Sequence, residues 1–97
     1  MEKKSFLLYF DSYPWVKELR DEEKGRLLDA LFAYAAEAAR QGTAPDVFLE
    51  GSRDMAPETW MAFGFMAGNI YRDTMKWRRA QETKAARRIV ALQEPLL

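Results

Sequence analysis

Any catalytic chemistry in this chain must come from carboxylates, lysines and hydroxyls, because its 97 residues include no cysteine and no histidine. Their absence excludes thiol nucleophiles, the usual zinc sites and every histidine-based triad. The densest acidic cluster, Glu18, Asp21, Glu22 and Glu23, offers the oxygen ligands that hard cations prefer. Such a cluster is more typical of a solvated helix start, where carboxylates match the positive end of the helix dipole. We therefore expect no metal, no cofactor and no enzymatic activity.

Basic residues near the end of the chain could bind phosphates. The 15 basic and 15 acidic residues cancel overall, but residues 1–70 hold 8 basic and 12 acidic residues, net −4, whereas residues 71–97 hold 7 and 3, net +4. Two interpretations that need no nucleic acid stay open, namely a solvated helix end and pairing with an acidic segment of another subunit. The candidate nucleic-acid-binding residues, which recur at helical spacing or broaden the same stripe, are Arg72, Lys76, Arg79, Arg87 and Arg88.

Two principal helices must position these charges, so the predicted fold class is all-α or nearly so. Leucine, aromatic and alanine residues recur every three or four positions over about residues 21–41, with Asp21 as the expected cap and Gly42 as the stop. The apolar arc is wider than one core-facing stripe, which indicates a helix packed on more than one side. A short helix near residues 13–19 and an extended or helical segment at Ser5–Phe10 precede it.

The second principal helix is predicted over about residues 57–92, because Pro57 suits a first turn and no breaker follows before Pro95. A helix of about 36 residues is about 54 Å long, whereas a compact chain of this size is roughly 30 Å across. The helix must therefore break, protrude or be covered by another subunit. We predict a helical domain over residues 1–80 and a protruding extension over residues 81–97. The inward stripe is Trp60, Phe63, Ala67, Ile70, Thr74 and Trp77.

A helix that its own chain cannot cover favours self-association. Gly64 and Gly68 lie four residues apart, a spacing that permits a second backbone to approach closely, although glycines that are merely tolerated would look the same. The wide apolar arc of the first principal helix also favours self-association. The candidate oligomer interface comprises Leu28, Phe32, Ala35, Gly64, Gly68, Trp77 and Ile89.

Several short motifs come in an order that resembles a known family. The chain resembles uncharacterised small helical domains of Gram-positive bacteria and their phages and prophages, and through them the N-terminal part of phage replisome-organiser-like proteins. The resemblance implies a mainly helical domain in a mobile-element context, and it implies no reaction. Where the family has Ser or Thr before its acidic pair, this chain has Arg20. The motifs are Met1-Glu-Lys-Lys-Ser-Phe-Leu-Leu-Tyr, Asp11, Asp21-Glu-Glu-Lys-Gly25, Ala30-Leu-Phe-Ala-Tyr-Ala35, Met61-Ala-Phe-Gly-Phe65 and Arg72-Asp73.

We therefore expect a non-enzymatic, self-associating helical interaction module of phage or prophage origin. Its expected role is that of an accessory in DNA replication, with further copies of itself and replication proteins as partners. The alternative is direct nucleic-acid binding through the basic stripe. The apolar run at Phe6–Phe10 is too short for a signal sequence, and no run approaches the ~20 residues of a membrane span. We therefore expect a cytoplasmic protein with no membrane partner.

Overall fold

The computed structural model describes residues 2–49 and 55–93. No strand occurs among these residues, which confirms the all-α prediction and its two principal helices. Met1, which belongs to the first quoted motif, and residues 94–97 of the predicted extension lie outside the described residues. The elements are a 3-10 turn at Phe10–Ser12 and four α-helices, namely α1 (Tyr13–Lys17), α2 (Asp21–Gln41), α3 (Pro45–Leu49) and α4 (Pro57–Gln93).

Helix α2 has the predicted bounds, but its start differs from the prediction. Arg20 is the N-cap residue, with an extended backbone at φ −63° and ψ 154°, and no side chain caps the helix. The prediction that Asp21 caps α2 is therefore wrong, because Asp21 lies inside the first turn and acts with the next two glutamates through the helix dipole. Gly42 ends the helix as predicted. Its φ of +70° suits glycine, and its N–H donates to the Ala38 carbonyl oxygen at 2.8 Å.

Helices α2 and α4 lie side by side and run parallel. Near the start of both helices, the Glu23 carboxylate accepts hydrogen bonds from the Thr59 hydroxyl at 2.6 Å and the Ala56 N–H at 3.1 Å. Near the end of α2, the Arg78 guanidinium donates to the Ala39 carbonyl oxygen at 3.0 Å. Residues early in α2 therefore contact residues early in α4, and residues late in α2 contact residues later in α4. The connection from the end of α2 to the start of α4 must span the whole length of α2, about 31 Å.

Helix α3 lies within that connection and packs against both long helices. Its Phe48 ring meets Tyr34 edge-on, with centroids 5.3 Å apart, and stacks on Phe63 at 6.0 Å. The Tyr34 hydroxyl donates to the Thr43 carbonyl oxygen at 2.8 Å, and burial raises the pKa of this phenol. The aromatic cluster therefore joins α2, α3 and α4 around one point.

The core lies between α2 and α4. The predicted inward stripe of α4 is buried at Phe63, Ala67, Ile70 and Thr74, whereas the two tryptophans at its ends are only half-buried. Burial extends further round α4 than one stripe, because α3 and the N-terminal segment cover its flanks. The buried apolar residues are Leu27, Leu31, Tyr34, Ala35 and Ala38 from α2, together with Met55 and, from α4, Ala62, Phe63, Met66, Ala67 and Ile70.

The last part of α4 continues beyond α2 without a break. Arg78 makes the last hydrogen bond between α4 and the described part of α2, and the side chains of residues 82–91 are all exposed. We call residues 79–93 the rod, which is about 22 Å long. The molecule measures 66 × 27 × 17 Å, and its radius of gyration is 17.4 Å. A compact chain of this length would have a radius of gyration of about 13 Å.

Phe63 provides a test of the inward face of α4. It is fully buried between Tyr34 and Phe48, so Phe63→Ala should lower the free energy of unfolding by about 3–5 kcal/mol through lost burial and a residual cavity. Met61→Ala is the matched control, because Met61 is 63% exposed on the same helix and its truncation should change stability little. Urea denaturation followed by circular dichroism measures both. An unmoved midpoint for Phe63→Ala would show that the inward face is wrong.

Candidate functional site

The five candidate phosphate-binding residues are all exposed on α4. Helical geometry places Arg72, Lys76, Arg79 and Arg87 within an arc of about 80°, on the side opposite the buried stripe, and we call these four residues the basic face. Arg88 lies about 160° from Arg72 around the helix axis. It therefore does not broaden the basic face as predicted, and the five residues divide between two sides of the helix.

Two charged residues beside the basic face are engaged within the chain. Asp73 accepts a hydrogen bond from the Tyr9 hydroxyl, which raises the pKa of Tyr9 and ties the N-terminal segment to α4. The Arg78 guanidinium lies against Gly42 and donates to the last carbonyl oxygens of α2, including that of Ala39, at the negative end of the helix dipole. No sequence signal reveals these roles, because each partner is tens of residues away in the chain.

Aromatic and aliphatic side chains lie exposed around the 3-10 turn. Phe10 is 98% exposed, Tyr13 is 62% exposed and Leu8 is 50% exposed. With Leu28 of α2 and Met66 of α4 they line an apolar groove of about 280 Å³, which we call the aromatic groove. Leu28, a predicted interface residue, thus lies on a free surface. Exposed apolar patches rimmed by polar residues are typical of interaction sites.

The chain itself covers part of the wide apolar arc of α2. The Phe6 ring of the N-terminal segment meets Phe32 edge-on, with centroids 5.1 Å apart, beside a second groove of about 370 Å³. Phe32 remains 59% exposed, whereas Ala35 is only 8% exposed and belongs to the core cluster. The prediction of Ala35 as an interface residue is therefore corrected, because α4 of the same chain packs on that part of the arc.

The remaining predicted interface residues are spread over the proximal part of α4 and the rod. A Cβ atom added at Gly64 or Gly68 would meet nothing within 4 Å, so no close approach between described residues requires glycine at either position. Trp77 is half-buried where α2 ends, and Ile89 is 52% exposed on the rod. The structure therefore does not bring the predicted interface residues together into one patch.

A third groove, of about 730 Å³, lies where the starts of α2 and α4 meet α1. We call it the basal groove. Its exposed apolar residues are Pro14, Trp15 and Met61, and its rim carries the exposed carboxylates of Glu18, Glu22 and Glu58. Among the described residues these three carboxylates have no hydrogen-bond or ion-pair partner. Sequence reasoning missed this groove, because its residues come from three separate segments.

Glu23 lines the basal groove and fixes its shape. Its Oε2 atom accepts the hydrogen bonds from Thr59 and Ala56 that join α2 to the start of α4, and its Oε1 atom accepts one from Arg26 at 2.7 Å. Hydrogen bonds from Thr59, then from Ala56, and the nearby Arg26 hold the pKa of Glu23 below its ordinary value of 4.5. The carboxylate thus satisfies donors at a helix start that would otherwise have no intrahelical partner.

The acidic cluster around residues 18–23 contributes to a helix start and a groove rim. Three of its members lie in the first turn of α2, and Glu18 follows the end of α1. Within residues 2–49 and 55–93, no group of three or more potential ligand side chains could hold a metal ion. No helix in the same ranges has an apolar stretch long enough to cross a bilayer.

Comparison with known proteins places the chain in a family. Residues 5–93 match the model of DUF6291, a family of unknown function. The chain belongs to this family. The DUF6291 match runs from residue 5 in the N-terminal segment to the end of the rod. It contains the basic face, the aromatic groove and the basal groove, and all of the lining of the second groove except Lys3 and Lys4. No curated protein and no solved structure matches the chain.

Glu23 makes the stability of the fold sensitive to acid. Because its pKa is lower in the folded than in the unfolded chain, its contribution is present above the unfolded pKa and is lost as pH falls through the folded pKa. We expect Glu23→Gln to be less stable than the wild type at neutral pH, and to lose less stability on acidification. Glu22→Gln is the matched control, because the Glu22 carboxylate is next in the chain to Glu23 and is exposed.

Urea denaturation at about pH 7 and about pH 3 measures this difference. The wild type and Glu22→Gln should lose similar amounts of stability between the two pH values, and Glu23→Gln should lose less. Identical losses for the wild type and Glu23→Gln would contradict the assigned role of Glu23.

Proposed function

We propose that this chain is a non-enzymatic helical module that associates with further copies of itself. The observation that carries the proposal is the rod, a stretch of α4 that protrudes beyond α2 and whose side chains at residues 82–91 are all exposed. Its sequence is rich in alanine, arginine and glutamine, which favour helix, and it continues a helix already nucleated by the core. The rod is therefore a rigid, preformed element that presents a long surface to a partner.

Exposed apolar residues on the body of the molecule support the same proposal. A lone soluble domain of this size rarely leaves an aromatic ring such as Phe10 almost wholly exposed next to a groove lined by other apolar side chains. Trp15 and Met61 are also exposed, at 43% and 63%, on the basal side of the molecule. Burying such side chains between subunits would stabilise an oligomer through the hydrophobic effect.

We place this module in DNA replication of a phage or prophage, acting in the cytoplasm with replication proteins as further partners. The support for this context is the order of the sequence motifs and their resemblance to the N-terminal part of phage replisome-organiser-like proteins. An accessory that assembles other proteins needs no catalytic group, in keeping with a chain that lacks cysteine and histidine.

Self-association predicts a mass that depends on concentration. Sedimentation equilibrium at several loading concentrations should give a mass that rises from the 11.3 kDa of one chain to about twice that value at tens of micromolar. The method must be independent of shape, because a molecule 66 Å long elutes early from a sizing column even as a monomer. A mass of one chain at every concentration would contradict the proposal.

Direct nucleic-acid binding is a second candidate function, and the basic face favours it. Arg72, Lys76, Arg79 and Arg87 are exposed on one side of an unbroken helix over about 22 Å, a length along which duplex DNA presents several phosphates. In this function the basic face would neutralise phosphates and release counterions, without reading the base sequence.

A pair of charge reversals tests this second function. Lys76→Glu combined with Arg79→Glu should weaken binding to labelled DNA at least about tenfold and reduce the salt dependence of the affinity by about two phosphate contacts. Lys4→Glu combined with Lys17→Glu is the charge-matched control, since both lysines are exposed and lie in the N-terminal part of the chain, away from the basic face. No binding by the wild type at low salt, or equal binding by the double variant, would exclude the basic face as a nucleic-acid site.

A further inference from the structure

The rod carries a second basic side, which shares only Arg87 with the basic face. Lys84, Arg87, Arg88 and Ala91 follow the spacing i, i+3, i+4 and i+7, so they lie along one side of the helix. All four are exposed, and the three cations have no hydrogen-bond or ion-pair partner among the described residues. The small side chain of Ala91 lets another element approach the helix backbone on this side. We call these residues the docking side of the rod.

The charge of the rod limits what can cover it. Residues 79–93 hold four basic residues and one acidic residue, Glu82, which gives a net charge of +3. Two rods packed against each other would bring like charges together, which is unfavourable. A partner surface for the docking side must therefore carry carboxylates or phosphates.

The basal groove provides such a surface on the same chain. The exposed carboxylates of Glu18, Glu22 and Glu58 match the three cations of the docking side in number and opposite sign. The apolar surfaces of Trp15 and Met61 line the same groove, and the aliphatic parts of lysine and arginine side chains cover surfaces of this kind well. Arg20 and Arg26 also line the groove, and Arg26 pairs with Glu23, so the excess of negative charge is moderate.

The rod cannot reach the basal groove of its own chain. Glu58 lies in the first turn of α4 and Lys84 lies about 39 Å further along the same unbroken helix. The complementary surfaces are therefore at opposite ends of the molecule, and only a second copy can bring them together. We infer that the chain forms a two-fold dimer in which α4 of the two copies runs antiparallel and the docking side of each rod binds the basal groove of the partner.

This arrangement rests on the proposed self-association and specifies its geometry. A rod about 22 Å long and about 10 Å wide that buries a third to a half of its lateral surface, in two symmetric contacts, removes on the order of 1,200 Å² of total surface from water. That area is at the lower limit of specific interfaces, so the dimer should dissociate in the micromolar range and weaken as salt rises. Two-fold symmetry closes the assembly at two chains, because each copy gives one rod and receives one.

Paired charge reversals test the inferred contact. The groove variant carries Glu18→Lys, Glu22→Lys and Glu58→Lys, and the rod variant carries Lys84→Glu, Arg87→Glu and Arg88→Glu. Each variant alone brings like charges together and should raise the dimer dissociation constant at least about tenfold. An equimolar mixture of the two should form a heterodimer, because both of its contacts then join opposite charges. A chain with all six reversals should form a homodimer again.

A charge-matched control reverses Asp11, Asp29 and Asp46 to lysine, all exposed acidic residues outside the basal groove, and should dimerise like the wild type. Circular dichroism checks that each variant keeps its helices, and recovery in the mixture shows that both variants are folded. Sedimentation equilibrium gives the masses.

If the wild type dimerises and the groove and rod variants do so equally well, the inferred contact is wrong while self-association stands. A mixture that stays monomeric, or a wild type that grows beyond two chains, also overturns the contact. A wild type that is always monomeric overturns both proposals.

Discussion

The length of α2 determines how much of α4 this chain can cover. The two helices start at the same end of the molecule and run parallel, so α2 supports α4 only as far as the end of α2 at Gln41, where Arg78 is its last partner. Residues 79–93 continue α4 beyond that point, and the side chains of residues 82–91 are all exposed. The free rod, the elongated shape and the separation of basic and acidic ends all follow from this difference in length.

Two polar contacts hold the parallel pair in register. Glu23 joins the start of α4 to α2 through Thr59 and Ala56, and Arg78 joins the end of α2 to α4 through the Ala39 carbonyl oxygen. Between them the core of small and aromatic residues fixes the distance between the helices. Because both contacts use groups at helix ends that have no intrahelical partner, they stabilise the fold and specify which residues face each other.

The helices were predictable from sequence because their signals are local. Periodic apolar residues, Pro57 and Gly42 define α2 and α4, and the length of α4 alone indicated that it outgrows a compact chain of this size. The parallel arrangement and the basal groove were not predictable, because Glu23 and Thr59 are 36 residues apart and no spacing rule connects them.

Ala35 was wrongly predicted to lie in an oligomer interface, since a wide apolar arc on a helix does not reveal which part of it faces the rest of its own chain. Asp21 was misassigned as a cap because the extended backbone that a cap requires belongs to Arg20.

A distance between the two rods of a dimer tests the central claim most directly, namely that the rod is covered by the far end of a second copy. The chain has no cysteine, so one cysteine introduced at Ala86, on the side of the rod away from the docking side, accepts a single spin label. In the antiparallel dimer the labels lie on opposite sides of the two-fold axis, and pulsed electron–electron double resonance should give a distance of about 40 Å from the helical rise. Dipolar broadening of the continuous-wave spectrum, which reports distances below about 15 Å, would mean that the rods pair with each other. The absence of both this broadening and any longer intermolecular distance at high concentration would mean that no dimer forms.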